Sequence, residues 1–325
     1  MKNIISMFLL VTLFLAGCST RMTEETSTEK QHSIGILLSD TGLGDGSFND
    51  SAFRGLERAR DELGILFDYR EAPDGNFEGA LQELVEQNHE LVIGLGFSIQ
   101  DALEKVAAEN PDQQFLLIDG FSEMDNITSI TFKEHEGSFL LGMVAAMKSK
   151  TGTIGFISGA DVPVIARFEQ GYIQGAKYIN PSIKVLKDNA NNFGDAELGR
   201  QIAEKQMKQG ADFIYPAAGF TGVGAIQAAQ KAGKLSGGVD SDQYFIAEKS
   251  VVTSMVKKVD SAVFNLTKEL IKDGKISQHA YELGLKEDGV GLAPIRVTSL
   301  SQEETKTLEE AKNKIISGDI TINMP

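Results

Sequence analysis

The stretch SIGILLSDTGLGDGSFNDSAFRGLERARDEL, residues 33–63, contains a buried strand, a glycine-rich loop and a helix in immediate succession. The apolar run Ile34–Ser39 predicts the strand, and apolar residues at helical spacing predict a helix over Asp50–Leu63. A strand that leads directly into a helix is half of a βαβ unit, from which parallel sheets are built. Residues 33–63 therefore predict an α/β fold.

The same alternation recurs along the chain. The elements predicted next are the strands Ile65–Tyr69, Leu91–Leu95, Phe115–Ile118, Ile127–Phe132, Thr153–Ile157, Ile183–Leu186, Phe213–Tyr215 and Val251–Val256, and the helices Phe77–Gln87, Ile99–Ala108, Glu136–Met147, Ala166–Tyr178, Ala196–Lys208, Val223–Ala232, Lys257–Lys272 and Ser301–Ile316. Because the pattern restarts after a polar stretch near residues 148–152, it predicts two doubly wound parallel-sheet lobes with a hinge and a central cleft.

The division of the chain follows from that restart. Residues 33–148 and about 250–276 are assigned to the first lobe. Residues 149–249 and part of 277–325 are assigned to the second lobe. The 325 residues are enough for two domains of ordinary size.

The N-terminal segment has the pattern of an export signal. Lys2 precedes the apolar run IISMFLLVTLFLA, which is shorter than the roughly 20 residues of a membrane span. The sequence LAGC that ends at Cys18 resembles the lipobox of bacterial lipoproteins. We therefore expect residues 1–17 to be a signal peptide, Cys18 to be lipidated, and residues 18–32 to be a tether. This places the folded part on the extracytoplasmic face of the cell membrane, held by a lipid anchor.

Charge and composition exclude several functions. The chain has 46 acidic and 31 basic residues, a formal net charge of −15, which is unsuited to a phosphate backbone, so no nucleic-acid partner is expected. The single cysteine excludes an intramolecular disulfide and a thiolate metal cage. Neither HExxH nor GxSxG occurs. We therefore expect no catalytic residues, no metal site and no cofactor.

Polar and aromatic residues follow several predicted strands, at the sheet edge where α/β proteins bind ligands. Asp40, Asp119 and Asp240 each follow a strand, and Phe97 and Phe220 come after two others. Carboxylates accept hydrogen bonds from neighbouring hydroxyls, and phenylalanine rings offer flat faces to a base or a sugar. The set predicts a glycosidic ligand. The alternative for each aspartate is the N-cap of the next helix.

The loop Gly42–Ser47 does not match a phosphate-binding motif. It lacks the lysine of GxxxxGK[ST], and Ser47 stands where GxGxxG has its third glycine. Asp45 inside the loop would also repel a phosphate. The glycines instead predict a tight turn and a close approach of the backbone to a neutral ligand.

Six stretches, in consistent order from about Ile34 to about Asn265, resemble the basic membrane protein (Bmp) family. They are Ser39-Asp40 with Gly44–Asn49, Phe132-Lys133-Glu134 with Gly137–Gly142, Arg167–Tyr172 with Gly175–Tyr178, Pro216–Gly222, Gly238–Gln243 and Thr253–Asp260. The resemblance implies a type I periplasmic-binding-protein fold. It also implies a lipid-anchored, non-enzymatic protein that captures purine nucleosides such as guanosine, inosine and adenosine and delivers them to an ABC transporter permease.

The resemblance also implies roles for individual residues at the base. Two phenylalanines sandwich the base in that family, and here they would be Phe48 and Phe220. Because many members have a glycine where this chain has Phe220, Phe168 and Phe97 are alternatives for the second ring. Asn49 and Asp119 would hydrogen-bond the base edge.

At the ribose, the resemblance implies Asp240 and Lys257, with Asp40 near the same hydroxyls. Lys258 is the alternative to its neighbour Lys257. A lysine between Asp40 and Asp240 would offset two carboxylates in a closed cleft. Two other functions stay open for the same fold, a regulatory or sensory lipoprotein and a sugar-binding protein.

Overall fold

The computed structural model describes residues 31–324. The predicted signal peptide, the predicted lipidation site Cys18 and most of the predicted tether lie outside the described residues. Within the described part, the helices are too short or too polar to cross a bilayer.

Two six-stranded sheets form the framework of residues 31–324. The strands are β1 Ser33–Leu37, β2 Leu66–Arg70, β3 Leu91–Leu95, β4 Gln114–Ile118, β5 Ile127–Phe132, β6 Thr153–Ser158, β7 Lys184–Asn189, β8 Phe213–Ala217, β9 Leu235–Asp240, β10 Val251–Lys257, β11 Ala280–Leu283 and β12 Val290–Leu292. The first sheet has the order β11-β5-β4-β3-β1-β2, and the second has the order β12-β10-β9-β8-β6-β7. Neighbouring strands are parallel except for β12, which is antiparallel to β10. The predicted α/β fold class is confirmed.

Helices cover both faces of each sheet. They are α1 Phe48–Leu63, α2 Phe77–Glu86, α3 Gln100–Glu109, α4 Glu134–Lys148, α5 Pro163–Ile179, α6 Ala196–Lys208, α7 Gly219–Lys231, α8 Val259–Asp273 and α9 Gln302–Ser317. Side chains on opposite faces of β1 pack in different hydrophobic cores. Ile34 and Ile36 lie in a core with residues of α1 and α8, and Leu37 lies in another core with residues of α2 and α3. Burial on both faces explains why such strands are continuous apolar runs in the sequence.

Three segments of the described chain cross between the two lobes, which we define by their sheets. Strand β5 of the first sheet leads into α4, which packs on β10 and β12 of the second sheet. Strand β10 of the second sheet leads into α8, which packs on α1 of the first lobe. Strand β11 then joins the first sheet, and β12 joins the second. The lobes are therefore interleaved along the sequence.

The predicted assignment of about 250–276 to the first lobe is wrong for its strand. Val251–Lys257 lies between β9 and β12 in the second sheet. The helix α4, which the predicted boundary placed in the first lobe, also packs on the second sheet. An apolar run indicates a buried strand, but it does not specify which of two similar sheets the strand joins, because its side chains are buried equally well in either.

Helix α4 packs so closely on α5 that only glycine fits at the contact. A Cβ atom at Gly142 would lie 2.1 Å from the carbonyl oxygen of Tyr172, and one at Gly175 would lie 1.9 Å from that of Phe139. A side chain at either position would force the two helices apart. This contact fixes the position of α4 in the second lobe.

We predict that Gly175→Ala lowers the free energy of unfolding by about 3 kcal/mol, because the added methyl group has no space between the helices. Gly291→Ala is the matched control, since a Cβ there would meet no atom within 4 Å. Urea unfolding followed by circular dichroism measures both variants. Equal stability of the two variants would contradict the close packing of α4 on α5.

Candidate functional site

A cavity that is partly open to solvent lies between the two lobes, where the carboxyl ends of their parallel strands face each other. The first lobe contributes Ser39, Asp40, Thr41, Asp45, Phe48, Gly96, Phe97, Ser98 and Asp119, and the second contributes Val164, Ile165, Phe168, Phe193, Ala217, Ala218, Gly219, Val239, Asp240 and Lys257. Both lobes are therefore needed to enclose a ligand.

The glycine-rich loop of the first lobe is folded by its own carboxylates. The two carboxylate oxygens of Asp50 accept hydrogen bonds from the backbone N–H groups of Gly44 and Gly46 at 2.8 and 2.9 Å. Asp45 accepts from the backbone N–H groups of Ser47 and Asn49 at 2.8 and 2.9 Å. These N–H groups, which would otherwise be available to a phosphate, are already paired inside the loop. Burial raises the pKa of Asp45, although the same hydrogen bonds act in the opposite direction.

An ammonium group lines the cavity at the end of β10. Lys257 is 1% exposed, and its Nζ donates to Oδ2 of Asp119 at 2.5 Å and lies 3.0 Å from Oε1 of Glu134. Burial alone would lower the pKa of Lys257, but the negative charges of Asp119, Glu134 and Asp240 outweigh burial and raise that pKa above its ordinary value. Lys257 is therefore a permanent cation at neutral pH.

Asp119 has one oxygen to offer a ligand. Its backbone is in the left-handed region, with φ of 66°, so the chain turns sharply as it leaves β4. While Oδ2 is bonded to Lys257, Oδ1 is buried and has no hydrogen-bond partner within the described residues. Burial raises the pKa of Asp119, and the charge of Lys257 opposes this rise. An unpaired buried carboxylate oxygen is costly, so a ligand that donates to Oδ1 would be favoured.

Asp240 occupies the matching position at the end of β9 in the second lobe, again with a left-handed backbone, φ 60°. Its Oδ2 accepts from the hydroxyl of Ser47 at 2.7 Å, across the boundary between the lobes. The amide of Gln243 adds a second bond across this boundary, to the carbonyl oxygen of Gly46 at 3.2 Å. Burial raises the pKa of Asp240 to about 6, although Lys257 and Ser47 both act to lower it.

Aromatic rings from both lobes line the cavity. Nζ of Lys257 lies 4.9 Å from the ring centroid of Phe48 in the first lobe and 5.7 Å from that of Phe168 in the second. The rings of Phe97 and Phe193, also from opposite lobes, have centroids 6.5 Å apart. The ring of Phe193 packs on Gly159, where a Cβ atom would lie only 2.2 Å from it. Flat apolar faces thus approach the cavity from both sides.

The structure brings five of the seven predicted ligand-binding residues to this one cavity: Asp40, Phe48, Asp119, Asp240 and Lys257. Asp40 is exposed and accepts a hydrogen bond from the hydroxyl of Ser98 at 2.8 Å. Lys258, the alternative to Lys257, does not line the cavity and instead pairs with Asp288 at 2.6 Å.

The other two predicted residues do not line the cavity. Asn49 is 1% exposed, and its side chain donates to Thr41 and to Asp45, at 3.0 Å each. Phe220 is 40% exposed near the start of α7 and is absent from the lining. Sequence reasoning missed Phe193, which takes a place in the wall. A lone aromatic residue in the polar stretch Asn191–Asp195 was the available signal, because it belongs to no apolar run or helical period and functional residues are frequent on loops.

The chemistry of the cavity suits a neutral ligand with several hydrogen-bond donors. Its charged lining residues are four aspartates and a single lysine, so an anionic ligand would be repelled. The aspartates accept hydrogen bonds, and the rings offer stacking surfaces. Within residues 31–324, no group of three or more His, Cys, Asp or Glu side chains is arranged to hold a metal ion.

The chain matches known proteins over most of its length. The family model described as "ABC transporter substrate-binding protein PnrA-like" matches residues 33–324. Basic membrane protein D of Borreliella burgdorferi is 35% identical over 292 residues, which cover 88% of this chain and 84% of that protein. A lipoprotein of Pyrococcus abyssi is 36% identical over 302 residues, with coverage of 88% and 74%. The crystal structure of an ABC transporter solute-binding protein from Aeropyrum pernix K1 matches with a TM-score of 0.83 at 29% identity, covering 90% of this chain and 94% of that one.

We predict that Asn49→Ala lowers the free energy of unfolding by about 2–4 kcal/mol, because it removes the hydrogen bonds that the buried Asn49 amide makes to the backbone of Ser39 and to the side chains of Thr41 and Asp45. Asn265→Ala is the matched control, since Asn265 is exposed on α8. Denaturant titration of both variants measures the difference. A loss below 0.5 kcal/mol for Asn49→Ala would show that the loop keeps its shape without this amide.

Proposed function

Because the chain belongs to the PnrA-like family of ABC transporter substrate-binding proteins, which includes the basic membrane proteins, we propose that its cavity captures purine nucleosides for an ABC importer. The observation that carries the proposal is the meeting of Asp240, Lys257 and Phe48 around one cavity between two lobes. A nucleoside presents vicinal hydroxyls and a flat base on one small, uncharged molecule. The cavity offers complementary groups for each part.

The ribose lies against the charged residues. Its vicinal hydroxyls donate to the carboxylate of Asp240 and accept from the ammonium of Lys257, with Asp40 at the exposed side of the same hydroxyls. Hydrogen bonds that involve an ionised partner are about twice as strong as neutral ones. A lysine that is already held by Asp119 keeps its orientation on binding, which lowers the entropy lost when the ligand is fixed.

The base lies between aromatic rings from the two lobes. Phe48 supplies one face and Phe193 supplies the other, since these two rings line the cavity from opposite lobes. Oδ1 of Asp119 accepts a hydrogen bond from an N–H group of the purine, because this oxygen has no partner within residues 31–324. In this proposal, Asn49 maintains the shape of the glycine-rich loop. Phe220 does not contact the base.

The site binds its ligand without altering it, and release to a permease follows the opening of the lobes. We further propose that Cys18 carries the lipid that holds the protein at the outer face of the membrane, as the lipobox pattern predicts. Such an anchor keeps a soluble receptor close to a membrane-embedded partner. The relative from Pyrococcus abyssi, which matches 88% of this chain, is itself described as a lipoprotein.

Calorimetry against guanosine, inosine and adenosine tests the proposal. We predict saturable binding of at least one of them, and a loss of affinity of about 5-fold to 150-fold for Phe48→Ala and for Phe193→Ala, in line with roughly 1–3 kcal/mol for stacking of one base on one ring. Phe220→Ala is the matched control and should change the affinity less than twofold. Chromatography of the recovered nucleoside should show no free base.

Three results would count against parts of this assignment. Absence of heat with every nucleoside would reject the nucleoside claim, and saturable binding of free ribose alone would favour a sugar-binding protein. A larger loss for Phe220→Ala than for Phe193→Ala would reject the proposed wall of the base pocket.

We also predict that nucleoside affinity rises about tenfold between pH 5 and pH 7. The pKa of Asp240 is raised by burial to about 6, and its ionised form is the better acceptor for the ribose, so binding releases a proton below this pKa. Calorimetry in buffers of different ionisation enthalpy measures the proton release directly. Asp240→Asn should bind more weakly, with a flat profile over the same range, and an unchanged slope in this variant would assign the titration to another group.

The ionisation of Asp240 also affects the stability of the ligand-free protein, which changes with pH in the opposite direction to the nucleoside affinity. Since the pKa of Asp240 in the folded state lies above its ordinary value of 3.8, the folded state binds the proton more tightly than the unfolded chain. The contribution of Asp240 to the free energy of unfolding therefore falls as the pH rises from about 4 to about 6.

A further inference from the structure

Two charged residues from the sequence motifs, Glu134 and Arg167, do not line the cavity, yet they meet beside it. Nε of Arg167 donates to Oε2 of Glu134 at 2.5 Å. Glu134 is the first residue of α4 and is 0% exposed. A fully buried carboxylate is costly unless cations compensate it, so the partners of Glu134 determine what this residue does.

The other oxygen of Glu134 faces the ligand site. Oε1 lies 3.0 Å from Nζ of Lys257, as an ion pair without hydrogen-bond geometry. Nζ of Lys257 is itself bonded to Asp119. Arg167, Glu134, Lys257 and Asp119 therefore form a continuous row of alternating charges, which we call the charge row.

The charge row links elements from both lobes. Arg167 lies on α5 and Lys257 at the end of β10, both in the second lobe, whereas Asp119 follows β4 of the first lobe. Glu134 lies where β5 of the first sheet passes into α4, at a crossing between the lobes. A lysine side chain has a long, flexible stem, so the location of its ammonium depends on the groups that attract it. Two carboxylates hold the ammonium of Lys257 from two directions.

We infer that Glu134 is a positioning residue of the ligand site: held by Arg167, its carboxylate fixes the ammonium of Lys257 beside Asp119 at the wall of the cavity. Glu134 does not touch the ligand and acts only through Lys257. The nature of the ligand rests on the proposed function, but the action of Glu134 on Lys257 does not. Among residues 31–324, removal of the Glu134 charge leaves Asp119 as the only carboxylate paired with the ammonium, which then moves towards the first lobe.

A double-mutant cycle in the full-length protein tests this inference, with inosine as the probe. We expect Glu134→Gln to weaken binding about tenfold, and to have less than a twofold effect when Lys257 is already replaced in Lys257→Met. Glu136→Gln is the matched control, because Glu136 lies in the same first turn of α4 but outside the charge row. Its carboxylate accepts a hydrogen bond from the backbone N–H of Leu285. It should change the affinity less than twofold. Arg167→Lys, which keeps the cation, should lose less affinity than Arg167→Gln.

The same cycle, measured on ligand-free protein by denaturant unfolding, separates this inference from the proposed function. If wild-type protein binds no nucleoside but Glu134→Gln and Lys257→Met are strongly non-additive in unfolding, the proposed function fails and the positioning role stands. Additive effects in unfolding, or an unchanged effect of Glu134→Gln on affinity in the Lys257→Met background, overturn the inference. Where Glu134→Gln alone does not fold, recovery of folding in the double variant supports the inference, because the ammonium that Glu134 holds is then gone, and loss of folding in the double variant when Lys257→Met alone folds overturns it.

Discussion

A buried ammonium group at the boundary of the two lobes is the constraint on which the rest of the structure depends. Removing the charge of Lys257 from water costs several kcal/mol, and only nearby carboxylates can offset this cost. Asp119 and Glu134 supply them, one from the end of a first-lobe strand and the other from the start of a helix that crosses to the second lobe. The two lobes must therefore meet at this point, and the cavity forms where they meet.

Close packing and hydrogen bonds hold the groups around this meeting point in place. Glycines allow α4 and α5 to pack backbone to backbone, so the two helices that carry Glu134 and Arg167 have a fixed separation. On the other side, the glycine-rich loop before α1 closes its N–H groups onto Asp45 and Asp50, and from this position Ser47 reaches Asp240. The polar groups of the cavity are thus held by hydrogen bonds within the protein itself, and such preorganisation lowers the entropy cost of binding.

Much of this could be predicted from the sequence, because burial leaves a periodic pattern and strand ends in α/β sheets collect at one edge. Asp40, Asp119 and Asp240 were found in this way. Sheet membership could not be predicted for Val251–Lys257, since residues buried on both faces are compatible with either sheet. Phe193 was missed because it stands alone in a polar stretch, outside the apolar runs and strand ends on which the prediction was based. The paired glycines of α4 and α5 likewise have a meaning only once two distant segments are in contact.

The interleaving of the lobes also affects how the protein can be made. The first sheet is completed by β11, Ala280–Leu283, and the second by β12, Val290–Leu292, although each sheet begins more than a hundred residues earlier. Domains with a continuous sequence fold as units while the chain is still being synthesised. In this protein, neither lobe has all its strands until nearly the whole chain has been synthesised, so both sheets are still incomplete after β10 has emerged. The exposed edges of those sheets during this interval are the places where the chain would need protection from aggregation.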